Sequence, residues 1–375
     1  LQLLESAAPI QHSTFNIQHS TFRLSARSIS DNTHMKAMIL AAGYGTRLRP
    51  ITYTIPKPIV PLCGRPLMAW AVESLLGAGI RDFVVNLHHL PEPIERYLRD
   101  TYAGQAHFEF SYEAEILGTG GGVRRVRPLL ESGGDEFFLV NGDTIQFPPY
   151  DALRSLRRER DALAALTLRH PPPGDRFTPV WFENDLITGF GKGTGEPLMF
   201  SGTHLISTRV FRYLPDKEFS GIVDEVYQPL IGSGAELVAG VVDDGPWFDI
   251  GTPLRYMTAS RALLALTVDG ALPPAQSTRV TGDSLAHDTA SLRGTIARSI
   301  IGANCAIEGE LRDSVIWDDC RIAAGVVLDN CIVAHGVEIT EPVTLRNAVI
   351  SRDDDAIPRE GDHRFEHDLV LRSIE

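Results

Sequence analysis

Lysine is scarce in this chain of 375 residues. Lys36, Lys57, Lys192 and Lys217 are the only four, and arginine supplies the other positive charges. Acidic side chains outnumber basic ones, 48 to 35, for a formal net charge of −13. A duplex nucleic-acid binder carries a basic face, so no nucleic-acid partner is expected. No apolar run approaches the roughly 18–20 residues that span a bilayer. The opening LQLLESAAPI has neither a basic start nor the length of a signal h-region, so no membrane partner is expected either. The four cysteines, Cys63, Cys305, Cys320 and Cys331, form no CxxC pair, which argues against a zinc site and against a disulfide framework. What remains is a reduced, cytoplasmic, globular protein. Its 43% hydrophobic content is ordinary, and its length suits one large or two medium domains.

The segment 1–34 differs from the rest. IQHSTF occurs at 10–15 and again at 17–22, without apolar periodicity, and the first methionine is Met35. These residues are expected to be a disordered extension, one that a misplaced start would explain. From Met35 the pattern alternates strand and helix, with strands at 36–42, 83–87, 108–112, 137–140 and 162–168 and helices at 67–78, 93–99 and 151–160. Such alternation implies right-handed crossovers, a mainly parallel sheet covered on both faces, and ligands beyond the carboxyl ends of the strands. The catalytic unit is expected over 35–265 and a linker rich in Pro, Ser, Thr and Asp over 266–290. Over 291–355 aliphatic residues recur every six positions: Ile301 and Ile307; Ile316, Ile322 and Leu328; Val327, Val333 and Ile339. A six-residue period is that of hexapeptide repeats in a parallel β-helix. Gly302, Gly325 and Gly336 fall at its turns, Cys305, Cys320 and Cys331 read as buried thiols, and a tail follows at 356–375. End rungs of such a coil stay open, so a homo-oligomer assembled through the repeats is expected.

The most informative stretch is MILAAGYGTRLRPITYTIPKP at 38–58. A strand runs into Ala41, Ala42, Gly43, Tyr44, Gly45, Thr46 and Arg47. Small residues let backbone N–H groups approach phosphate oxygens, and Arg47 adds a planar fork. No Lys follows the second Gly as in a P-loop, and the spacing is not GxGxxG. Lys57 lies between Pro56 and Pro58, which restrict the backbone and present the ammonium at a fixed place. Asp143 follows a strand, and Asp249 comes from a distant segment, WFDIG. Two such carboxylates suit one hard cation that also takes phosphate oxygens, and Asp-Gly turns are the competing reading.

The run GYGTRLRPITYTIPKP resembles the GxGTRLxPxTxxxPKP signature of the sugar-1-phosphate nucleotidyltransferases. The likeness continues through EILGTGGG (115–122), VNGD (140–143), FSGTHL (200–205) and WFDIGTP (247–253). It covers about residues 35–260, and the mannose-1-phosphate guanylyltransferases and the uridylyltransferases acting on N-acetylmuramate 1-phosphate are nearest in character, with a GDP-mannose product favoured and a UDP-sugar close behind. The resemblance implies an α/β fold: a Rossmann-like three-layer α/β/α domain followed by a small left-handed parallel β-helix. It implies that NTP and sugar 1-phosphate give NDP-sugar and pyrophosphate with Mg²⁺ as cofactor. Arg47 would hold the departing phosphates and Lys57 the α-phosphate. Ala41, Ala42 and Gly43 would lie against the nucleoside, while Glu115 and Gly118 would read the base. Asp143 and Asp249 would bind the metal, and Gly202 would lie along the sugar. Many relatives carry an acidic-Lys-Pro step ahead of that Gly; GKGTGEP stands here, with Lys192 or Glu196 left to do part of its work.

The remaining candidates have bland readings. His88-His89 reads as loop polarity, Trp181 and Trp247 as aromatic packing, and Arg124, Arg125 and Arg127 as a solvated helix face. His335, in the repeats, would serve an acyltransferase only beside a thioester-binding groove, which the repeats do not suggest. The alternatives to sugar activation are thus a bifunctional acyltransferase and a nucleotide-sugar sensor. The sensor reading conflicts with the presence of Arg47, Lys57, Asp143 and Asp249.

Overall fold

The computed structural model describes residues 35–359, 363–366 and 368–374. The extension expected over 1–34 lies outside them. Two compact units emerge: residues 35–60 with 66–251, and residues 61–65 with those from 252 onward.

The first unit is built on a nine-stranded sheet. Its strands are β1 (Lys36–Leu40), β2 (Asp82–Leu87), β3 (His107–Tyr112), β4 (Glu136–Asn141), β6 (Ala164–Arg169), β7 (Val180–Glu183), β8 (Leu186–Phe190), β9 (Glu196–Ser207) and β10 (Val238–Val242), ordered β3-β2-β1-β4-β9-β6-β10-β8-β7. β3, β2, β1 and β4 are parallel, as are β6 and β10, while β9 runs antiparallel between the two groups. A separate pair joins β5 (Thr144–Gln146) to β11 (Trp247–Asp249).

Alternation along the strands sorts side chains to two faces. Ala37, Ile39, Phe83 and Val85 share one core with Met68, Val72 and Leu75 of α1 (Leu67–Gly77), Ile94 and Leu98 of α2 (Pro91–Thr101), and Leu153 of α5 (Tyr150–Glu159). Met38, Val84 and Leu139 share the other with Val123 of α3 (Gly118–Arg125), Leu130 of α4 (Arg127–Glu131) and Val226. The result is three layers, α/β/α. α1 is buried on nearly all sides, whereas α2 and α5 keep charged outer faces.

In the second unit, α7 (Pro253–Val268) precedes a coil of three sheets; the short helix α6 (Gln228–Ser233) belongs to the first unit. Strands stack parallel in each sheet. Leu285 pairs with Ile300, Ile300 with Val315, Val315 with Ile332, and Ile332 with Val349. Corresponding ladders run through Ile307, Ile322 and Ile339, and through Leu311, Leu328 and Leu345. This is a parallel β-helix, as the six-residue period implies. Its register differs in one respect: Leu328 is fully buried and Val327 is not, so Leu328 is the inward residue of that side. The sides also differ in length. Six residues separate Ile301 from Ile307, but four separate Ile307 from Leu311 and five Leu328 from Val333. Corners where the chain turns left-handed carry Asn304, Asp313, Asp319, Asn330 and Asn347, residue types that tolerate positive φ. The three thiols are buried and each donates to a carbonyl: Cys305 to Trp317 (2.9 Å), Cys320 to Ala334 (3.1 Å) and Cys331 to Leu345 (3.4 Å).

The stretch read as a linker, 266–290, carries the end of α7 and an antiparallel hairpin, Thr278–Thr281 with Ser284–His287, that opens the eight-stranded sheet. The stretch read as a tail supplies strands Arg364–Glu366 and Leu369–Ser373, antiparallel at the sheet's other end. Among the described residues no helix is long and apolar enough to cross a membrane.

Candidate active site

Register brings the candidate residues to the carboxyl ends of the parallel strands. Leu40, last in β1, is flanked by Asn86 on β2 and Asn141 on β4. Beyond Leu40 the chain enters Ala41-Ala42-Gly43; beyond Asn141 it turns through Gly142 to Asp143. The turns are joined, for the Gly142 N–H donates to the Leu40 carbonyl at 3.0 Å. A Cβ on Gly142 would lie 2.7 Å from that oxygen, so only glycine permits the approach. Between the turns opens a cleft of about 290 Å³. Ala41, Ala42, Gly43, Lys57, Asn86, Glu113, Ile116, Gly118, Thr119, Asn141 and Asp143 are among its lining residues.

Lys57 sits in a short 3-10 turn after the extended Pro56, and its stem packs against Gly45. Its ammonium lies 2.6 Å from Asp143 Oδ2, with the lysine side chain nearly buried and the aspartate half-buried. A protein carboxylate is thus its partner here, beside the α-phosphate role that the resemblance implies. Two opposite charges are held at one end of the cleft.

Asp249 arrives through the β5–β11 pair, where it stands opposite Thr144, and the Ile250 N–H approaches the Asp143 carbonyl at 3.4 Å. The two aspartates, 106 positions apart in sequence, thus occupy adjoining backbone. Among the described residues no group of three or more His, Cys, Asp or Glu could hold a metal ion. A pair of carboxylates beside a phosphate-binding loop nonetheless fits Mg²⁺, which keeps waters and draws further oxygens from substrate phosphates. Arg47, on the exposed 3-10 turn Thr46–Leu48, lays its guanidinium on Gly251: a Cβ there would meet Nη2 at 2.9 Å. Gly45 and Thr46 belong to the same loop but do not line the cleft.

At the other end the structure moves an assignment by two residues. Glu115 is exposed and outside the cleft, while Glu113 is buried within it. Glu113 accepts from Asn86 Nδ2 (2.8 Å) and from the Leu117 N–H (2.9 Å), and Asn86 Oδ1 accepts from the Ala41 N–H (2.9 Å). One carboxamide and one carboxylate thereby tie the loop after β1 to the turn that leads into Gly118. Asn86 and Glu113 went unnoticed in the sequence. For Asn86 the signal available was a polar residue near the carboxyl end of an apolar strand, DFVVNL; Glu113, just past β3, had none.

Gly202 occupies an irregularity of β9 at φ +120°. Gln146 Nε2 would lie 2.9 Å and Asn141 Nδ2 3.4 Å from a Cβ at this position, and Trp247 Nε1 donates to the adjacent Ser201 carbonyl at 2.7 Å. Gly202 is buried, with the side-chain amides of Gln146 and Asn141 beside it. Lys192 and Glu196 are not brought to the cleft. Lys192 is exposed in the turn before β9, and Glu196 accepts from His170, which also contacts Asp244 (2.7 Å). Those two carboxylates, Asp244 foremost, raise the His170 pKa above its ordinary value.

A larger cleft, about 480 Å³, lies at the amino ends of β4 and β6, with Arg127, Arg157, Arg209 and Arg212 among its lining residues. Three of these guanidiniums are paired, with Glu131, Glu136 and Asp161, so size does not make it the likelier seat of phosphate chemistry. His335 is exposed, 3.6 Å from Asp319.

The sheet, the joined turns and the paired charges define a nucleotide-binding α/β enzyme domain. Residues 36–265 match the nucleotidyl transferase family and residues 282–360 the GlmU-like C-terminal hexapeptide family. The chain belongs to the nucleotidyl transferase family. It is similar to a probable mannose-1-phosphate guanylyltransferase 3 of Oryza sativa subsp. japonica, with 30% identity over 84% of this chain and 86% of the relative. It is also similar to the UTP–glucose-1-phosphate uridylyltransferase of Synechocystis (29%; 80% and 82%) and to the mannose-1-phosphate guanylyltransferase of Mycobacterium tuberculosis (29%; 79% and 84%). The crystal structure of HddC from Yersinia pseudotuberculosis complexed with GMP-PN shares the fold, with a TM-score of 0.51 at 21% identity, over 61% of this chain and 99% of that one.

Proposed function

We propose that this protein transfers a nucleotidyl group from an NTP to a sugar 1-phosphate, releasing pyrophosphate, with GDP-mannose the favoured product. The observation that carries the reading is the Lys57–Asp143 pair at the mouth of a cleft whose floor is the small-residue loop after β1. The nucleophile, a phosphate oxygen, is already anionic at neutral pH, so no general base is needed. The chain has to align two polyanions and offset their repulsion.

In this reading Lys57 faces the α-phosphate under attack and Arg47 steadies the departing phosphates. The backbone of Ala41, Ala42 and Gly43 holds the nucleoside, and Gly202 borders the sugar. Mg²⁺, held by Asp143 and Asp249, would supply charge neutralisation when bound. Glu113, rather than Glu115, would accept hydrogen bonds from the base. Guanine offers N1–H and the 2-amino group to a carboxylate and uracil a single N3–H, which supports GTP over UTP. The repeats would serve assembly into a homo-oligomer, since the two four-stranded sheets end without added antiparallel strands. Nucleoside triphosphates are cytoplasmic, and we place the protein there.

The test is a panel of NTPs against several sugar 1-phosphates, following pyrophosphate release. GTP with mannose 1-phosphate should give the highest kcat/KM; release with no pair would overturn the reading.

A further inference from the structure

The glycine run of α3 packs against another segment of the protein, although Gly118 also lines the cleft. A segment from the distant stretch Glu218–Ser220 lies across its first turn. The Gly120 and Gly121 N–H groups donate to the Ser220 carbonyl (2.8 and 3.3 Å), and the Ser220 N–H donates back to Leu117 (3.0 Å). Thr119 Oγ1 accepts from the Ile222 N–H at 3.0 Å. The seat is close. A Cβ on Gly118 would stand 2.6 Å from the Ser220 carbonyl, and one on Gly121 would stand 2.1 Å from the Glu218 carbonyl. Two of the N–H groups that open this helix, those of Gly120 and Gly121, are thus engaged by protein.

Anchored on both sides, Phe219 does not turn inward. At 63% it is the most exposed large apolar side chain among the described residues, and its ring edge lies 3.2 Å from the Cβ position of Gly118. Gly118, Thr119 and Ile116 line the end of the cleft that also holds Glu113. Water-exposed phenyl surface costs free energy, which covering it would return. A rigid backbone that presents such a ring beside a ligand cleft is arranged for stacking.

Resting on the nucleotidyl-transfer reading, we propose that Phe219 is a specificity-determining residue: its ring covers the outer face of the nucleobase whose edge meets Glu113. A purine offers more π surface than a pyrimidine, so the ring favours GTP over UTP.

The test uses the full chain, with GTP and UTP titrated calorimetrically in the presence of Mg²⁺. Phe219→Ala should weaken GTP about tenfold and UTP less than threefold, with kcat at saturating GTP within about twofold of wild type. Phe219→Trp should keep the preference, and GTP should quench its emission beyond the quenching of the four native tryptophans in wild type. An unchanged GTP/UTP ratio in a folded Phe219→Ala, or no added quenching in Phe219→Trp over wild type, overturns the inference while leaving nucleotidyl transfer standing. A wild-type protein that binds neither nucleotide and releases no pyrophosphate overturns both.

Discussion

Lys57 Nζ and Asp143 Oδ2 lie 2.6 Å apart, yet the two side chains are unequally buried, at 9% and 39% exposure. Loss of either partner therefore has different consequences. Without its carboxylate, a nearly buried ammonium is stranded; without its ammonium, the carboxylate hydrates. Asp143→Asn is expected to lower Tm by several degrees, and Lys57→Met to lower it by less. Both should cut turnover at least ~100-fold, because each removes charge from the reacting phosphates. Thermal melts of the two variants, run without nucleotide, check this asymmetry. An unshifted Tm in Asp143→Asn would show that the pair contributes nothing before substrate binds.

Asp249→Asn separates metal binding from this ion pair. Asp249 adjoins Asp143 through backbone pairing, so its loss should raise the Mg²⁺ concentration needed for half-maximal rate at least ~10-fold. Turnover against Mg²⁺ at saturating nucleotide is the measurement, and wild-type dependence would sink the assignment of this carboxylate.

Glu113 and Glu115 provide a direct contest between buried and exposed carboxylates. Glu113 holds Asn86 and the Leu117 N–H, so Glu113→Ala should raise KM for the NTP at least ~10-fold, as expected for lost hydrogen bonds to a charged group. Glu115→Ala should stay within about twofold. Comparable losses in both variants would restore Glu115 to the site.

The contrast between those two glutamates marks how far the sequence was legible. Strand ends and loop glycines are local features, so the turns after Leu40 and Asn141 could be placed from pattern alone. Which glutamate of SYEAEILG faces inward depends on the exit angle from β3 and on Asn86, a partner 27 positions away from Glu113. No period in the sequence encodes that. The coil presents the same limit. Its aliphatic ladder was visible, but with sides of four, five and six residues the period ran through both Val327 and Leu328, of which only Leu328 is fully buried. Likewise the antiparallel strands at the two sheet ends lie outside the six-residue period, although Ala286 and Leu371 reach the coil's core.

The coil's register has a mutational signature. Ile322 is fully buried between Ile307 and Ile339, whereas Val327 is half-buried outside the ladder. Ile322→Ala should cost about 2–4 kcal/mol and Val327→Ala less than about 1 kcal/mol. Denaturant unfolding of the full chain, followed by circular dichroism, compares them. Equal costs would mean that the inward side is assigned wrongly.

His204 offers a prediction in pH. It stands on β9 between Phe200 (ring centroids 4.4 Å) and Tyr227, whose hydroxyl is 3.3 Å from Nδ1, and it is almost wholly buried. Burial disfavours the imidazolium and pushes the pKa down to about 3. An unfolded histidine titrates near 6.5. Between these values the unfolded chain binds a proton that the folded chain does not, so stability falls as pH drops from about 7 toward 3. The loss attributable to this side chain is on the order of a few kcal/mol across that window. Other buried or paired groups add their own pH dependence, so the informative quantity is the difference from a non-titrating variant. His204→Gln should be less stable than wild type at pH 7, and the gap should narrow or reverse by about pH 4.5 because the variant has no proton to gain on unfolding. Chemical denaturation of both proteins at half-unit steps measures it. A gap constant from pH 7 to pH 4.5 would show that His204 is protonated in the folded state.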